Sequence, residues 1–176
     1  EKILNLLKKY KNILFFRRPK KYSTSKSDMG SVITHITKVL YKTEKLVPSI
    51  IVLLQPTSPL RKISTIKKTI KIFKRHLNYD YLATIKKVNH KEYPNMQINF
   101  SNKNFNKRKN FKINNTHSKK VNYALDGGVI FMFRNNKKNK VNNYKLSGYG
   151  KFVETKFPEN IDIDTKEDFD IAKKFI

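Results

Sequence analysis

Residues 50–61 read Ile-Ile-Val-Leu-Leu-Gln-Pro-Thr-Ser-Pro-Leu-Arg. The stretch opens as an unbroken apolar run rich in β-branched side chains and stops at proline. That pattern fits a strand buried on both faces. It then turns polar at once. Pro56 and Pro59 forbid a helix and remove two backbone donors, so residues 55–59 make a stiff turn at the carboxyl end of a central strand. Open α/β sheets bind their ligands at that end. An ordinary strand-to-helix connection carries the same pattern, and pattern alone leaves both readings open.

On the N-terminal side, Ile3, Leu4, Leu7 and Tyr10 recur at helical spacing, which predicts a helix over 2–11. Residues 13–16 read as a short strand ended by Arg17-Arg18-Pro19, where the proline holds Arg18 extended. Residues 23–28 are rich in cap residues, and Asp28 or Ser27 is placed to start the next helix. Met29, Val32, Ile33, Ile36, Val39 and Leu40 then give an amphipathic stripe over 29–45, a core-packing helix. His35, His76, His90 and His117 are scattered, with no spacing suited to a metal site built on histidine.

On the C-terminal side, Ser64 is placed to cap a helix to about residue 75, with Ile66, Ile70 and Phe73 on its buried face. Residues 81–88 predict the next strand. Helices and strands alternate to this point, as in a wound parallel sheet. Residues 89–122 break the rhythm with asparagine and lysine, while Met96, Ile98 and Phe100 alternate as in an exposed or partly paired strand. Asp126-Gly127-Gly128 leads into an apolar strand over 129–133. A glycine pair there permits close approach to a ligand, and a plain turn aspartate reads equally well. Residues 135–143 read as a solvated basic loop, and 148–156 as another strand.

Acidic residues are scarce, 13 against 39 Lys and Arg, yet Asp162, Asp164, Glu167, Asp168 and Asp170 crowd together. Thr165 and Asp168 have the spacing of a capping box, which starts a final helix with Phe169, Ala172 and Phe175 buried. Asp162 and Asp164 lie two apart in an extended segment, so both can face one side. Two such carboxylates repel unless a cation lies between them. Hard oxygen ligands of this number suit Mg²⁺.

The formal net charge is +26 in 176 residues, with no cysteine. That length fits one domain with a real core. The absence of cysteine excludes disulfides, thiolate metal sites and a cysteine nucleophile, and suits a cytoplasmic setting. No run is long enough to span a membrane. The charge would attract nucleic acid, but the lysine excess is spread along the chain beside abundant asparagine and isoleucine. A compositional bias accounts for all three, so a nucleic-acid partner is disfavoured. Only residues 103–112, with Phe105, Arg108 and Phe111, approach a basic stripe interleaved with aromatics.

The string Leu-Leu-Gln-Pro-Thr-Ser-Pro-Leu-Arg at 53–61 resembles the signature of the acylneuraminate cytidylyltransferase (CMP-sialic acid synthetase) family. Asp162-Ile163-Asp164-Thr165 followed by Asp168-Phe169 is a second match, and Arg17-Arg18-Pro19 a weaker one. The resemblance runs from about residue 15 to the end, with a poorly matched middle. It implies a Rossmann-like three-layer α/β/α domain with a mostly parallel sheet, of the nucleotide-diphospho-sugar transferase type, spanning 1–176. It implies transfer of CMP from CTP to a nine-carbon keto-acid sugar (sialic, legionaminic or pseudaminic acid) for lipopolysaccharide or capsule. An eight-carbon keto-acid sugar is the alternative acceptor.

By the same resemblance, Asp162 and Asp164 would hold Mg²⁺, with Asp164 and Gln55 catalytic. Arg18, Gln55 and Thr57 would contact the nucleotide. Gln55, Lys119 and Asp126 would contact the sugar, and Arg61 would support the turn. The family carries an arginine where this chain has Thr116-His117-Ser118-Lys119-Lys120, so Lys119 or Lys120 would stand in as a point charge. Residues 89–122 would form an arm crossing to a second subunit of a homodimer. The family also opens with a strand and a phosphate loop rich in glycine, arginine and lysine. This chain has none, and it opens inside a predicted helix. The expectation is therefore an N-terminally incomplete domain of low turnover. The rival from another class is a non-catalytic basic binding protein.

Overall fold

The computed structural model describes residues 2–7, 9–10, 12–24, 27–89, 98–101, 104–107, 122–126, 129–135 and 148–176. Contacts group the chain, read from its sequence as one domain, into two units. One comprises Glu1–Ile50 with Asn135–Leu146, the other Ile51–Arg134 with Ser147–Ile176.

The first unit holds α1 (Lys2–Leu7) and α2 (Met29–Glu44). Helix α1 is shorter than the predicted 2–11, and Tyr10 lies beyond its end, half exposed. Residues 13–16 form no strand. They have no ladder partner among the described residues, and Ile13, Leu14 and Phe15 are exposed. β-branched and aromatic side chains favour a strand only where another strand offers hydrogen bonds. Helix α2 begins where expected, and Asp28 is its cap. Its Oδ1 accepts from the amides of Gly30 at 2.8 Å and Ser31 at 3.3 Å. The Ser31 hydroxyl first, and then those amide bonds, hold the Asp28 carboxyl below its ordinary pKa. Val32 and Ile33 bury the stripe, and the helix ends at Lys45 in the left-handed region, φ 54°.

The second unit is α/β, built on a mixed five-stranded sheet. Its strands are β1 (Ile50–Leu53), β2 (Tyr81–Lys87), β5 (Tyr123–Leu125), β6 (Phe131–Arg134) and β7 (Gly150–Glu154). Strand β2 is its centre. It pairs in parallel with β7, Ala83 opposite Phe152, and antiparallel with β6, Ala83 opposite Phe131. Strand β5 pairs antiparallel with β2 further along, Ile85 opposite Leu125. Leu82, Ala83, Val129, Ile130, Met132 and Phe73 of α3 (Ile63–Arg75) make the core. Strand β1 pairs only with β6 among the described residues. It is half-buried rather than covered on both faces, as an edge position dictates.

Residues β3 (Ile98–Ser101) and β4 (Asn104–Lys107) form a separate antiparallel ribbon, Phe100 opposite Phe105. The alternation at Ile98 and Phe100 thus belongs to a paired strand. The rest of the proposed dimer arm, most of it, lies outside the described residues.

Two features of the second unit depart from local sequence logic. Helix α3 starts at Ile63, so Ser64 lies inside its first turn and caps nothing. A distant carboxylate serves instead: Glu159 Oε1 accepts from the amide of Lys62 at 3.2 Å. Helix α4 (Lys166–Ala172) is short, and of its three expected core residues only Ala172 is buried. Phe175 is half exposed and meets Phe157 edge to face, centroids 5.2 Å apart. No helix among the described residues is long and apolar enough to cross a membrane.

Candidate functional site at the end of the sheet

The turn after β1 is clasped to the acidic segment from the other end of the chain. The amide of Ile163 donates to the carbonyl of Thr57 at 2.8 Å. The fully buried Ser58 hydroxyl donates to Oδ1 of Asp162 at 3.3 Å. The amide of Ser58 turns back to the carbonyl of Gln55 at 3.4 Å. Four of the residues singled out in the sequence, Gln55, Thr57, Asp162 and Asp164, therefore belong to one locality at the carboxyl ends of β1 and β7.

Asp126 joins them through a break in a strand. Strands β5 and β6 lie on the same side of β2 and run the same way. The register passes from Leu125 opposite Ile85 to Phe131 opposite Ala83, so the ladder is broken by a bulge at Thr84. Such a bulge leaves backbone groups unpaired unless something satisfies them. Thr84 does so with all its polar atoms. Its amide donates to the Ile130 carbonyl at 3.1 Å and its carbonyl accepts from the Asp126 amide at 3.5 Å. Its hydroxyl accepts from the Ile130 amide at 3.0 Å and donates to Asp126 Oδ1 at 2.7 Å. The other carboxylate oxygen of Asp126 accepts from the Thr155 hydroxyl at 2.5 Å. Asp126 is 1% exposed, and its oxygens face inward to these two threonines.

Arg61 sits among these parts. Its Nη2 donates to the Gln55 carbonyl at 2.7 Å, and its Nε donates to the Val129 carbonyl just before β6. Burial pushes the guanidinium below its ordinary pKa. The carboxylates of Asp126, Asp162 and Glu159 pull it back up. Asp126 and Glu159 are almost wholly buried, so their charges act on Arg61 with little screening. No buried polar side-chain atom among the described residues lacks a hydrogen-bond partner.

Asp164 is exposed, and its amide donates to Asp168 Oδ2 at 3.2 Å. The expected capping box is present: the Thr165 hydroxyl accepts from the Asp168 amide, and Asp168 Oδ2 accepts from the Thr165 amide at 2.9 Å. The Thr165 hydroxyl and the amides of Thr165 and Asp164 lower the Asp168 pKa. The donor set offered to a cation is thus Asp162 and Asp164, with Asp168 engaged in capping. Among the described residues no cluster of three or more potential metal ligands forms. Two carboxylates are what Mg²⁺ takes when phosphate oxygens and water complete its shell, so the donor chemistry fits that ion.

Arg18 belongs to the first unit, where it lines a cavity of about 160 Å³ with Phe15, Arg17, Tyr22, Val32 and His35. The His35 ring packs on Tyr22, centroids 5.2 Å apart. Lys119 and Lys120 lie outside the described residues.

Sequence reasoning passed over Thr84, Thr155, Ser58 and Glu159. Thr84 had a signal: it is the lone aliphatic hydroxyl in the run Tyr-Leu-Ala-Thr-Ile, where burial demands a partner. Glu159 had a weaker one, as a scarce acid three residues ahead of Asp162. An α/β protein with a polar cluster at one end of a mixed sheet is what fold and geometry define. No protein-family model matches the chain, and no curated protein does.

Proposed function

We propose that the chain is a cytidylyltransferase domain that joins CMP from CTP to a nonulosonic acid, a nine-carbon keto-acid sugar, and releases pyrophosphate. The fold proposed with it is the Rossmann-like three-layer type. The observation that carries the reading is the clasp between residues 55–58 and 162–163. The two stretches that resemble the family are more than a hundred residues apart in sequence, and the turn and the acids meet where an open sheet presents ligand sites.

The reaction is attack of a sugar hydroxyl oxygen on the α-phosphorus of CTP. A P–O bond forms to the sugar, the bond from the α-phosphorus to the bridging oxygen breaks, pyrophosphate leaves, and the hydroxyl proton passes to solvent. Protein groups mainly position reactants and offset charge in such transfers. Asp162 and Asp164 would hold Mg²⁺, which when bound offsets charge on the phosphates. Ser58 orients Asp162 by its hydrogen bond. Gln55, at the end of β1, would bond the reactants from its side-chain amide while its carbonyl is fixed by Arg61. Arg18 would grip the nucleotide. Asp126 supports the bulge beneath the sugar side of the site. The polypeptide would act as a homodimer.

CTP with Mg²⁺ should raise the melting temperature more than ATP with Mg²⁺, and EDTA should abolish the difference. Any pyrophosphate release with CTP and sialic acid should vanish in Asp164→Ala. Equal protection by all nucleotides, indifferent to EDTA, would overturn the reading. Tight binding to any DNA duplex with a steep salt dependence would instead favour the basic binding protein.

A further inference from the structure

We propose that Arg61 is a positioning residue, whose forked guanidinium fixes the Gln55 turn against the bulge before β6 and so sets where Gln55 and Asp162 stand. The inference rests on the cytidylyltransferase reading only for its ligand. Its geometry stands without it.

One nitrogen of the fork holds the carbonyl of Gln55 and another the carbonyl of Val129. These carbonyls end one strand and precede the next, so a single side chain joins the mouth of β1 to the mouth of β6. Both acceptors are backbone atoms. The bonds therefore constrain main-chain position, which a side-chain ion pair does not.

The charge of the same guanidinium is also felt by Asp126, Asp162 and Glu159. Asp126 holds the bulge through Thr84, Glu159 caps α3 through the Lys62 amide, and Asp162 takes the Ser58 hydroxyl. Each carboxylate thus has a structural bond of its own to a different segment. Without that cation, the negative charges of Asp126, Asp162 and Glu159 would act on the segments they tie with nothing to offset them. Lysine would keep the charge. It lacks two donors in a rigid fork, so it cannot hold both carbonyls at once.

That difference separates positioning from simple charge balance. Arg61→Lys should keep the far-ultraviolet circular dichroism of the parent chain. It should speed hydrogen exchange of the Ile163 and Lys62 amides on the order of tenfold, because the segments they tie lose their anchor. It should also weaken Mg²⁺-dependent CTP binding on the order of tenfold. Exchange and CTP affinity both unchanged in Arg61→Lys would overturn the proposal, since charge alone would then suffice.

If the variant does not fold, the parent chain still decides. Its Arg61 Nε–H should give a slowly exchanging signal at neutral pH, whereas a rapidly exchanging Nε–H would overturn the proposal. Failure of the parent chain to bind CTP would sink the cytidylyltransferase reading, and the amide exchange would then decide the role of Arg61.

Discussion

The amide of Ile163 donates to the carbonyl of Thr57 at 2.8 Å, across more than half the length of the chain. This backbone bond brings the proline-rich turn and the acidic segment to one place. Pro56 and Pro59 cannot donate, so the turn has few ways to satisfy itself internally. An amide from elsewhere is accepted by the carbonyl that lies between them. The bond also fixes the residue between Asp162 and Asp164, and thereby the stretch of backbone that carries both carboxylates.

Asp126 is expected to matter for stability first. Its Oδ1 and Oδ2 accept from Thr84 and Thr155 in a buried setting. Each hydroxyl has a second acceptor within reach, the Ile130 carbonyl at 3.3 Å and the Ile85 carbonyl at 3.4 Å. Asp126→Ala should therefore cost about 1–3 kcal/mol, because the two donors can redirect. Urea denaturation at neutral pH measures it. A variant as stable as the parent would show the buried carboxylate to be dispensable.

Arg134 closes the C-terminal end of α3. Its Nη2 donates to the carbonyls of Phe73 at 2.6 Å and His76 at 3.0 Å, and its Nε to Tyr79 at 2.9 Å. The guanidinium also lies 4.6 Å over the Phe73 ring. Arg134→Met should lower stability by about 2–3 kcal/mol, since the last carbonyls of the helix lose a charged donor. Arg134→Lys should recover only part, because an ammonium cannot reach three carbonyls together. A lysine variant matching the parent in denaturation midpoint would contradict this.

Asp168 gives the pH dependence. Its carboxyl is held below its ordinary value in the folded chain by the Thr165 hydroxyl and by the amides of Thr165 and Asp164. A depressed folded value means that the charged form is favoured by folding. Its contribution is complete above the unfolded pKa, about 3.9, and fades as pH falls through the lower folded value. The stability gap between the parent chain and Asp168→Asn should be constant near neutrality and close in acid. A gap that widens on acidification would reverse the sign of this linkage. Carbon-detected titration of the carboxyl gives the same answer directly.

The elements written in local pattern were legible. The stripe over α2, the Thr165–Asp168 box and the strand around Leu82 need only neighbours in sequence, and all are present. The start of α3 was not, because Ser64 offers a local cap while Glu159 supplies the working one from a distant segment. The short strand expected at 13–16 failed for the same kind of reason, since pairing is decided by partners that local pattern does not contain. Within the candidate site, Asp162 and Asp164 were visible by type and spacing, while Gln55 and Thr57 were singled out by the resemblance of the turn. The threonines that organise Asp126 were not. A threonine in a strand reads as β-propensity, and its second role as a hydroxyl for a bulge appears only when the register is known.

The break between β5 and β6 has a consequence for how this molecule can vary. The register of each half is fixed by its own pairs with β2, Leu125 on one side and Phe131 on the other. Residues added between Asp126 and Ile130 would lengthen a connection whose two ends stay anchored at Thr84. Doubling such a loop raises its closure cost by only about 0.6 kcal/mol. The sheet can thus accept insertions at this break without a shift in the pairing of β2 with β5 or β6. Variation in length is absorbed at the break, while the paired framework is spared.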